Sequence, residues 1–158
     1  MNTVEERYVH FSCCLEWLNE SWALLHTLKN ERDNPLFDSS FRFALILYAK
    51  PYRESRGNAV RKHRLDTSFV PGAHVTLHKE IVDERDQIHA HSDLTVMDAQ
   101  VTVRTFEKQK YAVMVRNHLE PTRLASRLEE VIDLVEQTID RMYVEVKALE
   151  ALLPPTEA

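Results

Sequence analysis

Apolar positions recur at helical spacing along most of the chain. Tyr8, Phe11, Leu15, Leu18, Trp22 and Leu25 follow alternating steps of three and four, which predicts an amphipathic helix from about Val4 to Lys29. Asn30 to Pro35 is a polar break. Asp38, Ser39 and Ser40 then offer an N-cap to FRFALILYAKPY, whose apolar residues surround most of the helical circumference. That second helix is expected deep among its neighbours, kinked or ended by Pro51. After a loop from Thr67 and a turn at Pro71-Gly72, a third helix is expected from about His74 to His91, with Leu77, Ile81 and Ile88 turned to the core. Beyond Asp93 the period falls to two. Val101, Val103 and Thr105 alternate with Thr102, Arg104 and Phe106, and Tyr111, Val113 and Val115 alternate with Ala112 and Met114. Residues 107–110 separate the two runs, so a β-hairpin is predicted at about 100–116. Glu120-Pro121 opens a last helix. Its apolar residues keep helical spacing from Leu124 to Leu153, and Pro154-Pro155 stops it. At about 45 Å such a helix would outlast a small bundle, so part of its seam is expected to serve a second subunit.

These elements predict a mainly α protein: a four-helix-type bundle with a small β-hairpin (about 100–116) before a long C-terminal helix. The 158 residues are expected to form a single helical domain, 1–158, with a disordered tail from about 154. A hydrophobic content of 44% and a charged content of 28% are ordinary for a globular chain. The two glycines, Gly57 and Gly72, are too few for a phosphate loop or a dinucleotide fold. Cys13 and Cys14 are neighbours and cannot staple distant segments, so they read as small core residues in a reducing compartment. Met1 to Arg7 is polar with no long apolar run behind it, and Phe43 to Ala49 is too short to span a bilayer. A cytoplasmic protein without membrane attachment is expected.

Charge changes the picture locally. The net charge of −5 argues against a whole-surface trap for nucleic acid. Yet Lys50, Arg53, Arg56, Arg61, Lys62 and Arg64 cluster against the single acid Glu54. They form either a solvated loop with incidental charge or a phosphate-contacting patch beside the third helix.

The densest chemistry lies between His74 and Asp93, in HVTLHKEIVDERDQIHAHSD. On a helix, His74, Ile81, Arg85, Ile88 and Ser92 fall along one stripe. Arginine inside an apolar seam needs a partner to offset its desolvation. His74 and His78, four residues apart, offer a metal-binding alternative. The Glu-x-x-His motifs and further glutamates of di-metal bundles are not evident, so no metal or cofactor is expected.

RDQIHAHSD (Arg85 to Asp93) resembles the signature of the HEPN superfamily of helical-bundle proteins, an Arg followed after four to six residues by a His. Asp86 suits the polar residue that usually follows the Arg, and Ala90-His91 closes the motif as in some variants of the family. The resemblance covers about Leu77 to Asp93. It implies an RNA-cleaving or RNA-binding homodimer of a defence or toxin–antitoxin system, with an antitoxin or other protein as partner. Active members cleave without metal, using Arg and His from two subunits.

In that role His91 is the base or acid, because imidazole titrates near neutrality. Arg85 is the phosphate clamp, because its fork matches phosphate oxygens and stays charged. Asp86 orients either one. Two other readings stay open. Arg85 pairs with a neighbouring Glu while His91 caps a helix end, or the chain is a non-catalytic helical dimer that holds RNA or protein.

Overall fold

The computed structural model describes residues 2–60, 62–85, 100–107, 109–115 and 122–154. Asp86, His89, His91 and the rest of the motif to Asp93 lie outside the described residues, as do Arg61, Arg116, the Glu120-Pro121 helix start and the tail beyond 154.

The chain is mainly helical. Helix α1 spans Thr3–Lys29, as its seam predicts. It starts sharply because Asn2 and Glu5 satisfy its free amides reciprocally. Asn2 Oδ1 accepts from the Val4 and Glu5 N–H groups at 2.9 Å, and Glu5 Oε2 accepts from the Asn2 N–H at 2.7 Å. The buried stripe centres on Phe11, Cys14, Leu18, Ser21, Leu25 and Leu28. Trp22 lies to one side of it, partly exposed.

Helix α2 spans Phe37–Ala49, one residue ahead of the expected Asp38–Ser40 cap. The polar break itself builds the start: Asn34 Oδ1 accepts from the Leu36 N–H at 2.9 Å, and the Asn34 carbonyl accepts from the Phe37 N–H at 2.8 Å. Phe41, Ala44, Leu45 and Tyr48 are buried against α1. Ser21 Oγ donates to the Ala44 carbonyl at 2.8 Å, where small residues on both helices meet. Pro51 ends α2 as expected, in a tight turn over Lys50–Tyr52.

Residues 53–60 and 62–74 do more than loop through solvent. Ser55 and His63 exchange two backbone hydrogen bonds at 2.9 Å, and Tyr52, Leu65 and Val70 enter the core. Short turns over Thr67–Phe69 and Gly72–His74 lead into helix α3, Val75–Glu84, which buries Leu77, His78 and Ile81.

Strands β1 (Gln100–Phe106) and β2 (Gln109–Val115) pair antiparallel from Gln100↔Val115 to Phe106↔Gln109. The connection is two residues, 107–108, shorter than the sequence suggested, and Gln109 and Lys110 join β2. Glu107 adopts φ +46°, the conformation such a turn needs, without glycine.

The final helical region is divided. Helix α4, Thr122–Ala125, is separated by Ser126-Arg127 from helix α5, Leu128–Glu150. The apolar spacing continues across the break, which is why the pattern reads as one longer helix. Helix α5 is therefore about 35 Å long. It runs antiparallel to α1, linked by pairs from Lys29–Glu129 at 2.9 Å to Arg7–Glu145 at 3.4 Å. Val131, Leu134, Val135 and Met142 complete the core. Among the described residues no helix is long and apolar enough to cross a membrane.

Candidate functional site

Helix α3 carries the described part of the motif. Leu77, Ile81 and Arg85 succeed one another at four-residue steps, so Arg85 follows the buried stripe of α3. The Arg85 side chain is half-buried, and the Arg85 backbone N–H donates to the Ile81 and Val82 carbonyls. Near this helix Arg127 joins α3 to the start of α5, donating to Glu80 and Glu130 at 2.8 Å each. Its hydrogen bonds hold the Glu130 carboxyl below the usual range.

The two candidate metal-binding histidines turn to different partners. His74 Nε2 lies 2.6 Å from Asp133 Oδ2, whose carboxyl is held low by the Gln137 amide and then by His74. His78 is buried, with Nδ1 2.9 Å from the Tyr48 hydroxyl. Burial pushes the His78 pKa down, which favours the neutral imidazole. Among the described residues no group of three or more His, Cys, Asp or Glu is arranged to hold a metal ion.

The basic residues of the connector divide into separate settings. Lys50 Nζ sits 3.9 Å over the Trp17 ring, a cation–π contact. Lys62 reaches Glu54 at 2.8 Å. Arg56 and Lys62 line one open cavity of about 540 Å³, whereas Lys62 and Arg64 line another together with Arg7 of α1. Arg53 stands at the end of the turn that closes α2.

The most tightly built polar cluster was not among the sequence candidates. Glu6, on the buried side of α1, is only 5% exposed. Its carboxylate accepts from the N–H groups of Asn58, Ala59 and Val60 at 2.9, 2.6 and 2.9 Å, and His63 Nε2 lies 2.6 Å away. His10 stacks on His63 with centroids 4.9 Å apart, and Cys14 Sγ lies 3.6 Å from His10 Nε2. The signals in the sequence were a glutamate in register with the His10–Cys14 stripe and a glycine where the chain has only two.

Electrostatics follow from these contacts. The Ala59 N–H above all, then His63 and the Val60 N–H, hold the Glu6 carboxyl at about 2. Burial lowers the His10 pKa, and burial also pushes the Cys14 thiol up to about 12. Cys14 is therefore a packed thiol at neutral pH.

A pH prediction arises here. Because the Glu6 pKa is depressed by folding, its stabilisation is complete above the ordinary carboxyl value of 4.5 and is lost as pH falls from there toward 2. Urea midpoints measured across that window should fall for the wild type, and Glu6→Gln should remove much of the slope. An unchanged slope in Glu6→Gln would assign acid sensitivity elsewhere.

A scan against protein-family models, a search of curated proteins and a search of solved structures each return no match.

Proposed function

We propose that this protein is an HEPN-like, metal-independent endoribonuclease: a four-helix-type bundle that works as a homodimer in the cytoplasm. It belongs to a defence or toxin–antitoxin system, with an antitoxin or another protein as partner. The observation that carries the reading is the placement of Arg85. Arg85 follows Leu77 and Ile81 at four-residue steps, so α3 sets the position of a guanidinium whose planar fork matches phosphate oxygens. The sequence that follows it, DQIHAHSD, supplies Asp86 and His91.

The chemistry assigns one task to each group. His91 takes the proton from the ribose 2′-hydroxyl, whose oxygen attacks the adjacent phosphorus. The bond to the 5′-oxygen breaks, a 2′,3′-cyclic phosphate forms, and the leaving oxygen takes a proton from the second subunit's copy of the same histidine. Arg85 stabilises the charge on the phosphorane oxygens, and Asp86 orients the pair. The residues Lys50, Arg53, Arg56, Arg61, Lys62 and Arg64 hold RNA outside the cleavage centre.

The test is incubation of purified protein with mixed single-stranded and structured RNA in EDTA, beside Arg85→Ala and His91→Ala. Cleavage by the wild type alone is expected. Equal cleavage by both variants would remove Arg85 and His91 from the reaction.

One observation favours a second reading, a non-catalytic dimer that holds RNA or protein. The described hairpin side chains are all exposed, among them Val101, Val103, Phe106, Tyr111, Val113 and Met114. A two-stranded hairpin with its apolar groups in water is marginal alone, so a partner surface would complete it.

A further inference from the structure

The first turns of α1, Val60, residues 62–69 and Glu145 of α5 border a half-open cavity of about 250 Å³. Its inner surface is apolar, formed by Phe11, Val60, Leu65 and Phe69, with the two phenyl rings edge to face at 5.4 Å. Arg7, Lys62 and Arg64 stand around it. His10 and His63 line this cavity and also a neighbouring one of about 270 Å³, so the stacked imidazoles form the wall between them.

We propose that this cavity binds one nucleotide, the base within the apolar part beside the imidazole wall and the phosphate on Arg7 and Arg64. Three features of the site select that ligand class. The volume lies below the roughly 300–1,000 Å³ of pockets for drug-sized ligands, which suits a single base with its sugar rather than a longer stacked segment. Aromatic rings and apolar side chains line the cavity, and such surfaces accept any base by its π-face. Guanidinium groups beside such a surface match phosphate oxygens.

The wall is preorganised. The Glu6 carboxylate holds His63 at 2.6 Å, and the loop amides at Asn58, Ala59 and Val60 hold that carboxylate in turn. The imidazole plane is therefore set before a ligand arrives, which limits the ordering cost of binding. Two acids also line the cavity. Asp66 is occupied in part by the Ser68 N–H at 2.7 Å. Glu145 meets Arg7 at 3.4 Å, with both side chains substantially exposed. Exposed pairs of this kind contribute little, so an incoming phosphate can displace Glu145 from Arg7.

The nucleotide is either a free mononucleotide or one unit of single-stranded RNA. In the second case the pocket rests on the ribonuclease reading and names where that enzyme grips an unpaired base. Both sources are separated by titrating full-length protein carrying Arg85→Ala, which leaves RNA uncut, with AMP and with a fluorescein-labelled single-stranded RNA. Arg7→Glu and Arg64→Glu are compared with Lys29→Glu, an equal charge change at the far end of α1. Saturable binding is expected, weakened at least about tenfold by Arg7→Glu or Arg64→Glu and little by Lys29→Glu. Perturbation of the His10 and His63 ring resonances by the bound probe is expected with it.

Binding of RNA alone assigns the pocket to RNA, and binding of AMP alone assigns it to a free nucleotide. Failure of both probes to saturate up to about 10 mM overturns the proposal, as does equal weakening by all three substitutions. The wild-type cleavage assay is read separately. Pocket-dependent binding without cleavage defeats the ribonuclease reading and leaves the pocket standing, and cleavage without pocket-dependent binding does the reverse.

Discussion

Gly57→Ala is expected to destabilise the protein by roughly 2–4 kcal/mol, out of proportion to one methyl group in a surface loop. A Cβ at this position would overlap the Glu6 carboxylate and stand 2.6 Å from His63 Nε2. Neither neighbour can yield cheaply. Glu6 is tied to three consecutive backbone amides, and His63 is tied to Glu6 and stacked on His10. Moving the carboxylate strands several N–H groups at once, and unsatisfied buried donors are more expensive than the bonds they leave. The need for glycine here is close approach, because no described glycine has positive φ. Gly72 supplies the control: a Cβ there meets nothing within 4 Å. Gly72→Ala should therefore change stability by less than about 1 kcal/mol, in the stabilising direction, because it restricts the unfolded chain. Equal urea midpoints for the two variants would mean that the loop does not close around Glu6 as described.

On the proposed enzymatic reading, Arg85→Lys is expected to lower the rate of RNA cleavage at least about 100-fold while keeping the positive charge. Lysine offers a point charge on a flexible stem, whereas the phosphorane needs a planar fork held against two oxygens. The helix suits such a group, because α3 fixes the Cα while Leu77 and Ile81 fix the rotation of the helix. Single-turnover cleavage in EDTA with saturating RNA measures the effect on the chemical step. Far-UV circular dichroism and a urea melt show whether Arg85→Lys retains the fold. A rate within about threefold of the wild type would mean that charge alone matters and would remove the assigned fork from the mechanism.

The limits of sequence reading are visible in particular residues. The seam of α1 was legible because a two-sided environment, core against water, writes its period directly into residue type. The Asn2–Glu5 capping box is also local, but the seam alone placed the helix start one residue late. The break at Ser126-Arg127 was illegible because the apolar spacing continues through it. Arg127 gains a set of carboxylates there, one from α3 and one from α5, and only the approach of those helices brings them together. The β-hairpin was readable from its period of two, but its turn was shortened because Glu107 takes the positive φ that glycine usually supplies.

The candidate sites divide in the same way. Arg85 could be singled out from sequence because charge in an apolar stripe is anomalous whatever surrounds it. His74 and His78 shared a helical face on paper, yet Asp133 and Tyr48 draw them to different partners. Glu6 and His63 are 57 residues apart in the chain, and nothing local connects them.

By itself, then, the sequence determined what depends on neighbouring residues: mainly helical structure, the order of the elements, the hairpin and an arginine displaced onto an inward stripe. Propensity, capping and periodicity act within a few residues and leave their record in residue order. Tertiary structure alone decided the partners of each histidine, the clasp around Glu6 and the cavity shared by Arg7 and Arg64. Those depend on distances between segments far apart in the chain, and they are set when helices pack and a buried carboxylate must find every donor it needs.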